Sequence, residues 1–268
     1  MLGASETPYD LRFSLLGIPV RVHPLFWLVA VVLGFGRNDR NLALVVVWVA
    51  CVFVSILVHE YGHALMARAF GSSPSIVLWG MGGLCYSQAE RQSLLQRLAV
   101  VLSGPAAGLG LYVLVMLFAS GTFGISASEN LSVSQATLPG LGMLVSADDW
   151  FSAQNKLHNE VYFESFLYLI QINLLWSLFN LLPIWPLDGG QATQILLSLY
   201  DRARGPRWGH IVSLLCAGGL AIMAVSMGAS LFNALFLAYF AMMNYQMLQT
   251  LHQAHSMGIY HEDEWWKR

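Results

Sequence analysis

Between Leu42 and Val58 the chain is apolar at every position but Ser55, and the run passes without a break into His59-Glu60-Tyr61-Gly62-His63. A helix rises about 1.5 Å per residue, so residues 42–70 exceed the roughly 30 Å hydrocarbon core of a bilayer. On this reading His59 lies roughly 27 Å from the Asn41 end and about 18 Å from Gly71. That is within the bilayer, nearer the Gly71 side. Ionisable groups in lipid each cost up to about 3 kcal/mol to insert, and they face a bundle interior or a water-filled cavity. Two imidazoles and a carboxylate in little more than one turn make this segment the one around which the rest must fold.

Only 10% of the 268 residues are charged and 56% are hydrophobic, with a mean hydropathy of +0.58. Soluble domains carry about 25% charged residues, so the composition excludes a globular domain on a single anchor. A net charge of -2 offers no field for nucleic acid. Cys51, Cys85 and Cys216 stand in separate apolar surroundings, which argues against a disulfide framework or a thiolate metal site. Residues 1–20 show no cleavable signal pattern.

Residues 1–21 read as a short polar lead-in, with Leu11, Phe13, Leu15 and Leu16 in the membrane interface. Residues 24–36 form a first apolar run, short for a span, and residues 42–70 a second. Residues 72–86 suggest a short β-hairpin dipping back toward the histidines or, equally, an interfacial loop. Residues 94–119 make a third span, whose Ser103-Gly104-Pro105 lets another helix approach closely. Residues 120–160 read as an extracytoplasmic polar loop, too short for an ordinary inserted domain. Residues 161–182 make a fourth span, broken by Pro183, Pro186, Gly189 and Gly190. A half-helix at 191–200, spans at 211–227 and 231–248, and a cytosolic tail at 251–268 complete the chain. The expected fold class is an all-α polytopic membrane protein: about six transmembrane helices in one domain (residues 22–250), a short re-entrant β-hairpin and a broken fourth helix. Alternating spans put ten of the thirteen lysines and arginines on one side. The positive-inside rule makes that side cytosolic, with both termini there and a bacterial inner membrane as the expected setting.

Histidines four apart share one helix face and can close on a single metal ion, with Glu60 in reach of a water bound to it. A catalytic zinc commonly keeps three protein ligands and one open position, so a third ligand is expected from elsewhere. Asp188 is the leading candidate, an acid in a broken apolar helix beside two glycines. It has an alternative role: with Gln191 it matches a capping box for the half-helix, and its two oxygens allow both. Zinc lowers the pKa of its water to about 7, and Glu60 would take the proton as that water attacks a peptide carbonyl. A helix shields its own peptide bonds, so a transmembrane substrate must unwind, and residues 76–79 offer a strand edge on which it could pair. His252 and His255 could bind metal but read as interfacial; His23, His158 and His210 read as span-end residues facing water or headgroups.

His59-Glu60-x-x-His63 in a membrane helix, followed by Asn180-x-x-Pro183-x-x-Pro186-Leu187-Asp188-Gly189-Gly190, resembles the site-2 protease family of intramembrane zinc metalloproteases. Gly82-Gly83 and Ser103-Gly104-Pro105 also match its patterns. The resemblance implies one zinc ion held by His59, His63 and Asp188, Glu60 as the catalytic carboxylate, and a site role for Asn180. From the residues alone Asn180 could equally make a helix-packing hydrogen bond. Ile76, Val77, Leu78, Trp79, Gly82 and Gly83 are the expected substrate-binding residues. The implied function is an endopeptidase cutting in or near transmembrane segments, in regulated proteolysis. Its partners would be a transmembrane protein substrate, a membrane-bound regulator and the lipid bilayer. The PDZ or CBS module common in the family finds no room in these residues. A transporter or channel competes, but it would leave the histidine motif unused and predicts an internal repeat that is absent here. A non-catalytic member that binds membrane proteins also competes, against which all four site residues stand intact.

Overall fold

A computed structural model describes residues 6–36, 41–80, 82–87, 92–137, 146–228 and 231–256. The chain divides into two compact units, Met1–Glu90 with Ser103–Leu178, and Arg91–Leu102 with Phe179–Arg268.

In the first unit a four-stranded sheet runs in the order β1 (Leu11–Leu15), β2 (Ile18–Val22), β3 (Ser75–Trp79) and β4 (Gly82–Tyr86). β1–β2 and β3–β4 are antiparallel hairpins, while β2 and β3 pair in parallel, with Val20 opposite Ile76 and Val22 opposite Leu78. Residues 11–22 thus form a hairpin of this sheet rather than an unstructured lead-in. Ile18, Val20 and Val22 alternate into the core at 1%, 2% and 0% exposure, the two-residue period of a half-buried strand. The hairpin turns at Leu16 and Gly17, with φ of 51° and 72°. A left-handed leucine is uncommon, and its carbonyl is held by Arg68, while the Tyr61 hydroxyl donates to Leu15 O at 2.8 Å. Ahead of the hairpin, a hydrogen bond from Thr7 is the main influence on Asp10, and with Arg21 at 3.0 Å it holds the carboxyl down to about 2.

The β2–β3 crossover is made by α1 (Pro24–Phe35) and α2 (Leu42–Ala69). His23 and Asn41 cap them, accepting from Leu25 N and Ala43 N, and Pro24 occupies the first turn, where no donor is lost. On α2, Trp48 donates to Ala30 O at 3.1 Å and meets Tyr168 edge-on. Then come α3 (Leu94–Phe123), α4 (Ala127–Thr137), α5 (Ala147–Lys156) and α6 (Glu160–Asn180). Residues 120–160 are therefore not a plain loop. Ile125, Val133, Ala153 and Leu157 pack with Phe163, Phe166 and Ile170 of α6 in one apolar cluster. Buried Glu129 on α4 takes Lys156 of α5 at 2.8 Å. Burial pushes the Glu129 carboxyl up, but hydrogen bonds from Lys156, Ser152 and Ser126 outweigh it and bring it down to about 2.

The second unit contains α7 (Asp188–Tyr200), α8 (Gly205–Ser226) and α9 (Leu231–Ser256), with Ile184, Ala217 and Phe240 as its apolar centre. Among the described residues α2, α3, α6 and α8 are long and apolar enough to cross a membrane, which marks an integral membrane protein. The twelve residues of α1 reach only about 18 Å, and α9 is long but less apolar, so length and composition support four of the six expected spans. The tail beyond residue 256 lies outside the described residues.

Candidate metal centre

Ser55, His59 and His63 lie at four-residue steps on α2, and all three are buried along with Glu60. Asn173 of α6 donates to Ser55 Oγ at 2.9 Å, so the face that carries the histidines is packed in a polar contact one turn above them. The Nε2 atoms of His59 and His63 are 3.2 Å apart, with the rings at 78°. Two nitrogens bound tetrahedrally at about 2.0–2.1 Å to one zinc ion would stand roughly 3.3 Å apart, so the pair fits such an ion without moving.

Two glycines make this arrangement possible. A Cβ at Gly104 of α3 would overlap the His63 ring, and one at Gly83 of β4 would overlap the Glu60 carboxylate. Gly62, between the histidines, likewise lies against Ser103 O, and Ser103 Oγ donates back to Gly62 O at 2.9 Å. Backbone from α3 and from the hairpin thus forms walls that any side chain would fill. The hairpin reading of 72–86 holds, and its second strand runs beside the carboxylate. Gly104, read from the sequence as a helix-packing residue, is also the residue that gives His63 its space.

Asp188 is 8% exposed and is the first residue of α7. It does not form the capping box: the cap residue is Leu187, which makes no side-chain bond, and Gln191 Nε2 donates to Pro186 O at 3.1 Å. His59 and His63, both buried, offer two ring nitrogens at the spacing that one metal ion needs. Two imidazoles and a carboxylate are a donor set that suits zinc. Asn180 ends α6 and is 8% exposed.

Two expectations are corrected. Ile76, Val77 and Leu78 offer no strand edge: β3 is paired on both sides and these residues are 1%, 6% and 0% exposed. The free edges of the described sheet belong to β1 and β4. His210 does not face water or headgroups but is buried between Gln194 and Asn244. The three cysteines are free and lie outside the metal group.

Comparison with known proteins agrees with the geometry. The family model described as peptidase family M50 matches residues 47–226. A Synechocystis protein bearing a zinc metalloprotease name is 28% identical over 230 residues, 81% of this chain and 51% of its own length. A zinc metalloprotease of Methanocaldococcus jannaschii is 25% identical over 193 residues, 71% of this chain and 46% of its own. The chain thus spans about half the length of the curated relatives it matches. A solved site-2 protease from Methanocaldococcus jannaschii shares the fold at a TM-score of 0.54 and 19% identity, over 90% of this chain and 95% of that one. The match to the family model covers the span carrying both histidines, Glu60 and Asp188, and the chain belongs to peptidase family M50.

Proposed function

We propose that this protein is an intramembrane zinc endopeptidase that hydrolyses peptide bonds in or near transmembrane segments of other membrane proteins. The observation that carries the reading is the convergent His59–His63 pair with Glu60 beside it, buried in a helix long enough to cross a bilayer.

His59, His63 and Asp188 would hold the ion. When bound, zinc would supply Lewis acidity and would lower the pKa of a water to about 7. Glu60 accepts a proton from the attacking water and returns it to the leaving amine. Burial favours this base, since charges act more strongly on one another where water is excluded. Asn180 donates to the carbonyl oxygen as negative charge develops on it. The substrate segment unwinds and adds as a strand to the free edge of β4, where Gly82 and Gly83 keep the surface bare of side chains beside Glu60. β4 takes this role because β3 has no unpaired edge.

Six spans follow when α1 and α9 join the four apolar helices. The excess of basic residues on one side then supports a reading in which both termini lie in the cytosol, with the metal site toward that face. Regulated proteolysis under a membrane-bound regulator is the setting that matches a membrane substrate. The test is Glu60→Gln, co-expressed with a membrane reporter and assayed for cleavage and bound zinc. Cleavage should vanish with zinc retained; a variant that still cuts at the parental rate removes the proposal.

A further inference from the structure

In the second unit lies a buried polar chain that the proposed chemistry does not use. Asn244 of α9 is fully buried, and its Nδ2 donates to Trp185 O and to Phe240 O, each at 2.8 Å. Carbonyls only accept, so these two bonds orient the amide and aim Oδ1 at His210 Nδ1, 2.8 Å away. His210 must therefore carry its proton on Nδ1, and its Nε2 accepts from Gln194 Nε2 at 3.0 Å. On the other side of the same residue, Ser213 Oγ accepts from Trp185 N at 3.0 Å and donates to Gly209 O at 2.8 Å. The His210 ring also meets the Trp185 indole at 5.5 Å.

Trp185 sits in the non-helical segment 181–187, where Leu182, Ile184 and Leu187 donate to nearby backbone carbonyls. Both of its peptide groups are instead satisfied by side chains from α8 and α9. Three residues on comes Asp188, the start of a helix whose cap makes no side-chain bond. Gly189 and Gly190 lie so close to the backbones of Leu181, Ile184 and Trp185 that a Cβ on either would overlap them. The beginning of α7 is therefore locked to the Trp185 segment, and that segment is locked to the last two helices.

We propose that Asn244, Ser213 and His210 are positioning residues for Asp188. By gripping Trp185 from both sides they set where α7 starts and hence where the carboxylate points. The inference rests on Asp188 being a zinc ligand, as proposed above. It gives α8 and α9 a part in metal binding although neither supplies a ligand.

The test uses the full chain in detergent, titrated with zinc against a competing chelator. Turnover of a transmembrane peptide and thermal unfolding of the metal-free protein are followed in parallel. Asn244→Asp keeps an acceptor for His210 but removes the donor to Trp185 O; Ser213→Ala removes the acceptor for Trp185 N. Each should weaken zinc binding by roughly ten- to hundredfold, the usual cost of losing an outer partner of a ligand. Each should also lower kcat while KM and the metal-free unfolding temperature stay near the parent values. Parental zinc affinity and kcat in both variants overturn the inference, and Ser213→Ala decides alone if Asn244→Asp does not fold. Asp188→Asn is the reference. If it binds zinc as tightly as the parent, the ligand assignment itself has failed, which is a different result from weak binding in Asp188→Asn with parental binding in the other two.

Discussion

The Glu60 carboxylate rests directly on the backbone of Gly83, with no room between them for a single methyl group. A strand and a membrane helix meet here because one of them has no side chain at the point of contact. The contact ties the hairpin to the proposed base and leaves the His59 and His63 imidazoles out of it.

Gly83→Ala follows from that contact. Its methyl must displace the carboxylate, and a displacement of about 1 Å at a catalytic group costs roughly a hundredfold in rate. Cleavage of a membrane reporter should fall by that order while zinc content, measured on the purified protein, stays at the parental level.

Gly104→Ala has the opposite signature. Its methyl would overlap the His63 ring, so zinc affinity should fall by roughly ten- to hundredfold, with the loss of activity following the loss of metal. Gly110, on the same helix, has nothing within 4 Å of an added Cβ. Gly110→Ala should leave zinc affinity and cleavage unchanged, which makes it the control for a change of helix composition.

Metal removal gives a third outcome. A chelator should abolish cleavage, zinc should restore it, and the loss should be steeper in His59→Ala and His63→Ala than in the parent. Asp188→Asn keeps the side-chain size but loses the charge. It should retain its helices, read by circular dichroism, while competing poorly with a chelator for zinc.

Acid should loosen α4 and α5 before the membrane helices. The Glu129 carboxyl is held at about 2 in the fold, against 4.5 for an ordinary glutamate. A depressed folded value means the stabilisation is complete above pH 4.5 and is lost as the pH falls toward 2. The loss should be roughly 1–2 kcal/mol, since water at half-open Lys156 screens part of the attraction. Hydrogen exchange of residues 127–156 should accelerate across that window, and Glu129→Gln should flatten the response.

The sequence by itself determined the long apolar helix and the paired histidines with Glu60 between them, and it named Asp188 as the candidate acid. These signals are local: an apolar run of spanning length and a four-residue repeat of ligands are legible without neighbours. The hairpin within residues 72–86 was only half legible, because its glycines and short apolar runs fitted an interfacial loop equally well. The first two strands were not, since β2 finds its parallel partner on the far side of two helices and no pattern within residues 11–22 announces β3. For that reason the unpaired edge passed from β3 to β4. Residues 120–160 look polar in sequence because one face of α4 and α5 meets water, while the apolar face that folds them is defined by α3 and α6. Gly83 and Gly104 are ordinary glycines in one dimension. Only the crossing of β4 and α3 over α2 makes them the space into which Glu60 and His63 fit.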